Sequence, residues 1–465
     1  MNKLNIRGKD LQRIGYADDR AISVAKNIML KYYKHHQKAE ALEILKKVHK
    51  HPERFLKHPQ LSKISEVLVE GHQKQGKISV SLEKSKPYKI YGQESIEKGA
   101  LDQMNTAMQL PIALQGALMA DAHQGYGLPI GGVLATANAV IPYGVGMDIG
   151  CRMCMSIYNI NTDYIHAHQK RLEDLLIENT RFGRSEFQEP KNHPILERQE
   201  LNEIAFLKSL KRKAHDQMGT SGHGNHFVDI GILEVKNAVP ELGIEPGSYF
   251  SILSHSGSRG PGAEIARHYT KIAMDKCDLP KGAKALAWLD LSGQEGIEYW
   301  KAMNWAGDYS AANHHWIHEK LSQALKEKPI TTLENHHNFA WKEQLPSGET
   351  AIIHRKGATP AHKDIIGIIP GSMTAPGFVV RGKGNAEALN SAAHGAGRVM
   401  SRSAAKKQFQ MHELHELLRK KGVMLIGGGL DESPLAYKDI HEVMRLQEDI
   451  VEVLALFKPK IVRME

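Results

Sequence analysis

Apolar residues recur at three- and four-residue steps through the first part of the chain. Ala21, Val24, Ala25, Ile28 and Met29 keep that step, and Leu42, Leu45 and Val48 resume it after a break. The step places them on one face of a helix. The pattern predicts helix over residues 18–75, with Asp18 as an N-cap and Pro52 and Pro59 as interruptions. A polar stretch, SLEKSKPYKI, follows, and a boundary is expected near residue 85.

Beyond it the pattern changes. From 110 to 160 the helical step gives way to short runs of Gly, Ile and Val, and GGVLATANAVI and RMCMSIYNI read as buried strands. Strand signals recur near 226–233, 249–254, 350–355, 365–369 and 377–381. Helical patterns lie near 164–178, 197–216, 262–275, 315–327 and 440–457. The alternation lacks a regular βαβ rhythm. The expected fold is therefore α+β, with one large domain over 85–465 preceded by a basic helical extension over 1–84.

Composition narrows the classes. The chain has 465 residues, 41% hydrophobic and 24% charged, which excludes a disordered protein. No apolar run reaches 18 residues, so no transmembrane helix is expected. The opening MNKLNIRGKD lacks the apolar core of a secretory signal, which makes a cytoplasmic location the expectation. Three cysteines, Cys151, Cys154 and Cys277, are too few for a disulfide scaffold. The net charge of +9 matches the excess in residues 1–84 alone, where 18 Lys/Arg face 9 Asp/Glu. Such a segment attracts polyanions, although on charge alone a solvated helical face is the better explanation.

Glycine-rich segments hold the candidate chemistry. DAHQGYGLPIGG begins at Asp121, and GVGMDIGCRM sets Asp148 three residues before Cys151. GTSGHGNHFVDI carries Asn225 and His226, HSGSRGPG begins at His255, and NHHN contains His337 and Asn338. Asp148 and Cys151 could chelate one metal or bridge two, with His226, His255 and His337 completing the site. That mixed set suits borderline first-row ions such as manganese, cobalt or zinc. In SAAHGAGRVMSR, His394 stands beside a turn able to cradle phosphate, where imidazole could attack phosphorus. Arg398 is placed to neutralise the transferring group. HRKGATPA offers Arg355 and Lys356 as phosphate or RNA contacts. The absence of a GxxxxGK[ST] loop argues against a Walker-type site.

Taken together, DAHQGYGLPIGG, GVGMDIGC, GNHF, HSGSRG, HHN, HRKGAT, PGSM, HGAGR and AYKDI resemble, in order, the motifs of the RtcB family of RNA ligases. The resemblance spans roughly residues 88–465. It implies an RtcB-like α+β catalytic domain that joins RNA ends bearing a 2′,3′-cyclic phosphate or 3′-phosphate to a 5′-hydroxyl end. GTP and two manganese ions would be the cofactors. Cys151 would bridge the ions, with His255 and His337 on one and Asp148 and His226 on the other. His394 would become guanylylated and pass GMP to the RNA 3′-phosphate.

The implied guanylate pocket takes in Asn225, His226, Phe227, Val228, Asp229, His337 and Asn338. It also takes in Pro370, Gly371, Ser372, Met373, Gly377 and the loop His394, Gly395, Ala396, Gly397. Tyr437 would stack on guanine. Arg463 would stand near the family's C-terminal lysine, and Gly377 falls where a serine often contacts the nucleotide. RNA is the expected partner, no membrane is, and the resemblance leaves room for an accessory activating protein. The alternative is a dinuclear metal-dependent phosphoesterase acting on RNA ends without ligation.

Overall fold

The computed structural model describes residues 4, 6–16, 19–75, 78–189 and 191–465. Two compact units are present. The first comprises the described residues up to Val80 together with Asp275–Asp278. It holds helices α1 (Gly8–Gln12), α2 (Asp19–Tyr32), α3 (Lys38–Lys50) and α4 (Ser62–Gln75). Ala25, Met29, Leu45, Val48 and Ile64 are fully buried in its core, so the helical step read from the sequence is the packing face. Asp18, the expected N-cap, lies outside the described residues.

The second unit comprises Ser81–Met274 and Leu279–Glu465. Its principal strands in chain order are β1 (Lys89–Ile90), β2 (Ala113–Tyr126), β3 (Leu128–Thr136), β4 (Arg152–Tyr158) and β5 (Phe227–Val235). Then come β6 (Gly247–Ser256), β7 (Thr331–His336), β8 (Asn338–Gln344), β9 (Thr350–Lys356) and β10 (Ala358–Pro360). The last are β11 (Ile366–Ile369), β12 (Gly377–Gly382), β13 (Ser391–Ala393), β14 (Met424–Ile426) and β15 (Val451–Arg463).

An eight-stranded sheet runs β7-β4-β6-β5-β15-β12-β11, with β14 also paired to β15. A five-stranded sheet runs β8-β9-β3-β2-β1. Val133, Ala135 and Ile353 of the smaller sheet share one core cluster with Ile369, Phe378 and Val380 of the larger. Helices α5 (Gln169–Asn179) and α6 (Gln294–Leu325) cover the larger sheet's other face, where Leu172, Leu176, Ile317 and Leu321 meet Val228, Ile230 and Ile252. The fold is α+β, as expected. Among the described residues no helix is long and apolar enough to cross a membrane.

One element departs from expectation. Residues 440–457 do not form one helix; a short helix, Ile440–Arg445, is followed by β15. Ile440, Val443 and Met444 supply a single helical turn of apolar contacts. From Val451 the burial changes to near alternation, which is the strand period. Pro459 is tolerated inside this strand because the pairing with β5 is irregular between Pro459 and Ile461.

Candidate active site

A cavity of about 390 Å³ gathers side chains from both sheets of the second unit. Cys151 sits just before β4, and the backbone N–H of His337 donates to its carbonyl at 3.0 Å. Register between β5 and β6 sets Phe227 opposite His255, which brings the GNHF and HSGSRG segments together. Asp148 enters beside Gly257, where a Cβ would collide with its carboxylate. The backbone N–H of Ser258 donates to Asp148 Oδ1 at 3.1 Å.

These contacts assemble one polar cluster. Cys151 Sγ lies 3.1 Å from His255 Nε2 and 3.5 Å from His226 Nε2. His255 Nε2 faces His337 Nε2 at 3.1 Å, and Asp148 Oδ2 is 3.0 Å from His226 Nε2. The Nδ1 of His226 contacts the Ser221 carbonyl at 2.6 Å, and that of His255 the Asn225 carbonyl at 2.8 Å. A carbonyl oxygen only accepts, so these partners assign a proton to each Nδ1; the His255 Nε2 lone pair then faces Cys151, while His226 Nε2 faces both Cys151 and the Asp148 carboxylate. Burial holds His255 down at about 3 and His337 well below the ordinary imidazole value. Burial alone would raise Asp148, but its hydrogen bond and attraction to His226 bring it to about 2. The Cys151 thiol is pushed well above its ordinary value by burial and then by Asp148.

The donor set fits metal ions. Neutral imidazole nitrogens point at one another and at a sulfur, an arrangement that a cation between them would relieve. Two triads, Cys151–His255–His337 and Asp148–Cys151–His226, each hold ligand atoms within 4.8 Å and share Cys151. His337 Nδ1 is buried with no hydrogen-bond partner, so only packing and the Nε2 contact with His255 hold its ring.

His394 adjoins this cluster, its ring centroid 4.9 Å from that of His337. Its Nδ1 donates to Asp121 Oδ2 at 2.6 Å, and its backbone N–H reaches the same oxygen at 3.2 Å. Asp121 is fully buried. Its acceptance of the Nδ1 proton leaves the Nε2 lone pair free. Gly397, at φ +71°, lets the loop turn where a Cβ would strike the Asp121 carbonyl.

Most residues expected in a nucleotide pocket line the cavity. Asn225, His226, Phe227, Asp229, His337, Asn338, Pro370, Gly371, Ser372, Met373 and Gly377 do so, with His394, Gly395, Ala396, Gly397 and Tyr437. Burial drives the Asp229 carboxyl well above the carboxylate range, and its Oδ1 has no hydrogen-bond partner. Val228 and Arg463 depart from expectation. Strand alternation turns Val228 into the helix-facing core. It turns Arg463 away as well, with its guanidinium over Phe182 at 5.5 Å, while Val462 and Met464 line the cavity.

Arg398 and Arg355 also differ from their expected roles. Arg398 lines the cavity but donates to Glu432, the Asp431 carbonyl and the Met400 carbonyl, and lies 5.0 Å over the Tyr437 ring. It buttresses Tyr437, and these donors are already committed. Arg355 is fully buried, bound to Glu343 through both terminal nitrogens and to Ser391, so it contacts no ligand in the cavity.

The structure adds residues that the sequence did not single out. Asp121 was visible only as the start of a glycine-rich segment. Arg402, at the end of the His394 segment, lines the cavity and donates to Asn225 Oδ1 at 3.2 Å. Lys356, expected as an anion contact, is buried in the wall. Burial brings its amine down to about 7.

A two-sheet α+β domain whose cavity sets a histidine–carboxylate pair beside a shared-cysteine cluster defines a recognisable class. The family model described as "tRNA-splicing ligase RtcB" matches residues 103–209 and 197–465, and the chain belongs to the RtcB family. It is 32% identical over 396 residues to the RNA-splicing ligase RtcB of Escherichia coli (strain K12), covering 77% of this chain and 92% of that protein. It is 29% identical over 466 residues to the tRNA-splicing ligase RtcB of Nanoarchaeum equitans, covering 83% and 95%. With that of Thermococcus kodakarensis it shares 27% over 461 residues, covering 80% and 93%.

Proposed function

We propose that this chain is a GTP- and manganese-dependent RNA ligase. It would join 2′,3′-cyclic phosphate or 3′-phosphate ends to 5′-hydroxyl ends, in RNA repair or tRNA splicing. The observation that carries the reading is the His394–Asp121 pair beside the Cys151 cluster in one cavity. The names of the relatives support RNA as the substrate.

His394 Nε2 attacks the α-phosphorus of GTP. The bond to the bridging oxygen breaks and pyrophosphate leaves, giving a phosphoramidate on the imidazole. Asp121 holds the Nδ1 proton, orients the ring and stabilises the positive charge that develops on it. An oxygen of the RNA 3′-phosphate then displaces Nε2 and takes up the guanylyl group. The 5′-hydroxyl attacks the 3′-phosphorus, forming the phosphodiester and releasing GMP. A cyclic phosphate must first be opened by water.

Asp148, Cys151, His226, His255 and His337 would hold two manganese ions, which when bound supply positive charge to offset that of the phosphates. Asp229 offers acceptor oxygens to the N–H groups of guanine. Tyr437, braced by Arg398, offers a stacking face. Lys356 places an amine beside the anionic substrates. The basic excess of residues 1–84 suits a polyanionic partner.

The test is ligation of a 3′-phosphate RNA strand to a 5′-hydroxyl strand by purified protein with GTP and manganese. Joined product that requires both cofactors supports the reading. Release of phosphate, or opening of a cyclic end, with no joined product under any nucleotide would favour the phosphoesterase.

A further inference from the structure

The side of the larger sheet that faces α6 carries a second cluster of metal-binding side chains. Strand alternation sends His255 into the cavity and its neighbour Ser254 toward the helix. In register with Ser254 on β4 stands Cys154. His314 and His318 lie one turn apart on α6, so both rings leave the helix on one face. The Cys154 sulfur and one nitrogen of each ring lie within 4.8 Å of one another, and all three residues are buried.

This layer is unusual for a helix packed on a sheet, because it spends buried volume on polar atoms. Ser254 Oγ is 2.7 Å from His314 Nδ1 and 2.8 Å from His318 Nε2. The hydroxyl can donate to one of these nitrogens and accept from the other, so it ties the two rings together. The other nitrogen of His318, Nδ1, is 2.8 Å from Ser156 Oγ, which fixes the ring. His314 Nε2 is buried with no partner. Burial holds both rings below the ordinary imidazole value, which is the neutral, ligating form. A thiolate with two imidazoles is a soft donor set that favours zinc over manganese.

We propose that Cys154, His314 and His318 form a metal centre of their own, distinct from the cavity, that takes one zinc-class divalent ion. Ser254 Oγ is placed as an oxygen donor. Binding exchanges the Cys154 thiol proton, released to solvent, for the ion. The bound ion pins α6 to β4 directly behind the strand that carries His255. The inference does not rest on the ligase reading.

The test uses the full-length chain with Cys151, His255 and His337 all replaced by alanine, which dismantles the cavity cluster. It is stripped with chelator, dialysed against zinc, washed, and its metal counted. One zinc per chain is expected, falling to none when Cys154→Ala is added. No zinc in the first variant, or zinc kept after Cys154→Ala, overturns the proposal. Circular dichroism reports whether each variant is folded. Where one is not, crystals of the unaltered protein grown with zinc decide. An anomalous peak bounded by Cys154, His314 and His318 supports the centre, and its absence overturns it. A peak at the Cys151 cluster alone defeats this proposal and leaves the ligase reading standing. A peak at Cys154 alone supports this centre and leaves the ligase reading to its own assay with manganese.

Discussion

Replacing Asp121 with asparagine isolates what the carboxylate does for His394. The native contact is a charge-assisted hydrogen bond of 2.6 Å from Nδ1 to a fully buried oxygen. Bonds of that kind contribute about 1.5–3 kcal/mol. Here the bond gains strength as the ring becomes positive during attack on phosphorus, so its loss falls on the transition state. At about 1.4 kcal/mol per decade, guanylylation should slow by about 10- to 150-fold. A larger loss follows if the amide turns its NH2 toward Nδ1. The ring proton then moves to Nε2 and occupies the nucleophile. The assay is the rate at which label from α-labelled GTP enters the protein with manganese at fixed pH. Circular dichroism and bound manganese are measured alongside. A folded, metal-loaded Asp121→Asn variant that labels at the wild-type rate would refute the role given to this residue.

Other substitutions probe the rest of the cavity. Burial lowers Lys356 from 10.5 to about 7, so between those values the unfolded chain binds more protons than the folded one. Stability against unfolding should therefore gain from this residue as pH rises through that window, and Lys356→Met should lose that gain; urea unfolding at a series of pH values inside that window measures it, and equal slopes in the two proteins would contradict the assignment. Gly397→Ala forces a side chain into a left-handed conformation at a cost of about 1–2 kcal/mol and into the Asp121 carbonyl. A lowered melting temperature and slower labelling are expected; unchanged values of both would count against the loop geometry. Arg463→Ala should leave GTP affinity within about twofold while removing a cation–π contact worth about 1 kcal/mol. A tenfold weaker Kd for GTP would instead place Arg463 in the pocket.

The candidate ligands were legible because their residue types are chemically restrictive. Cysteine and histidine in glycine-rich turns have few roles, Asp148 stands three residues before such a cysteine, and the fold brings Asp148, Cys151, His226, His255 and His337 together. Asp121 was not legible in that way. Its partner His394 is 273 residues distant, and a lone aspartate in a glycine-rich segment has many explanations. Val228 and Arg463 illustrate a different gap. A family pocket names a stretch of chain, but the two-residue strand period decides which side chains face it. The same limit hid β15, whose first residues continue the apolar run of a short helix before the alternation declares itself. The second cluster joins Cys154 to residues on a helix far along the chain, and no local spacing announces it.

The central claim is that His394 carries the nucleotide. Purified protein is incubated with manganese and α-labelled GTP, quenched, and the label located by peptide mapping, with His394→Ala in parallel. The account predicts acid-labile, alkali-stable label on the peptide containing His394 and none in the variant. Ligation that proceeds with GTP and manganese while His394→Ala still takes up label, or while no label forms on the protein, would contradict it.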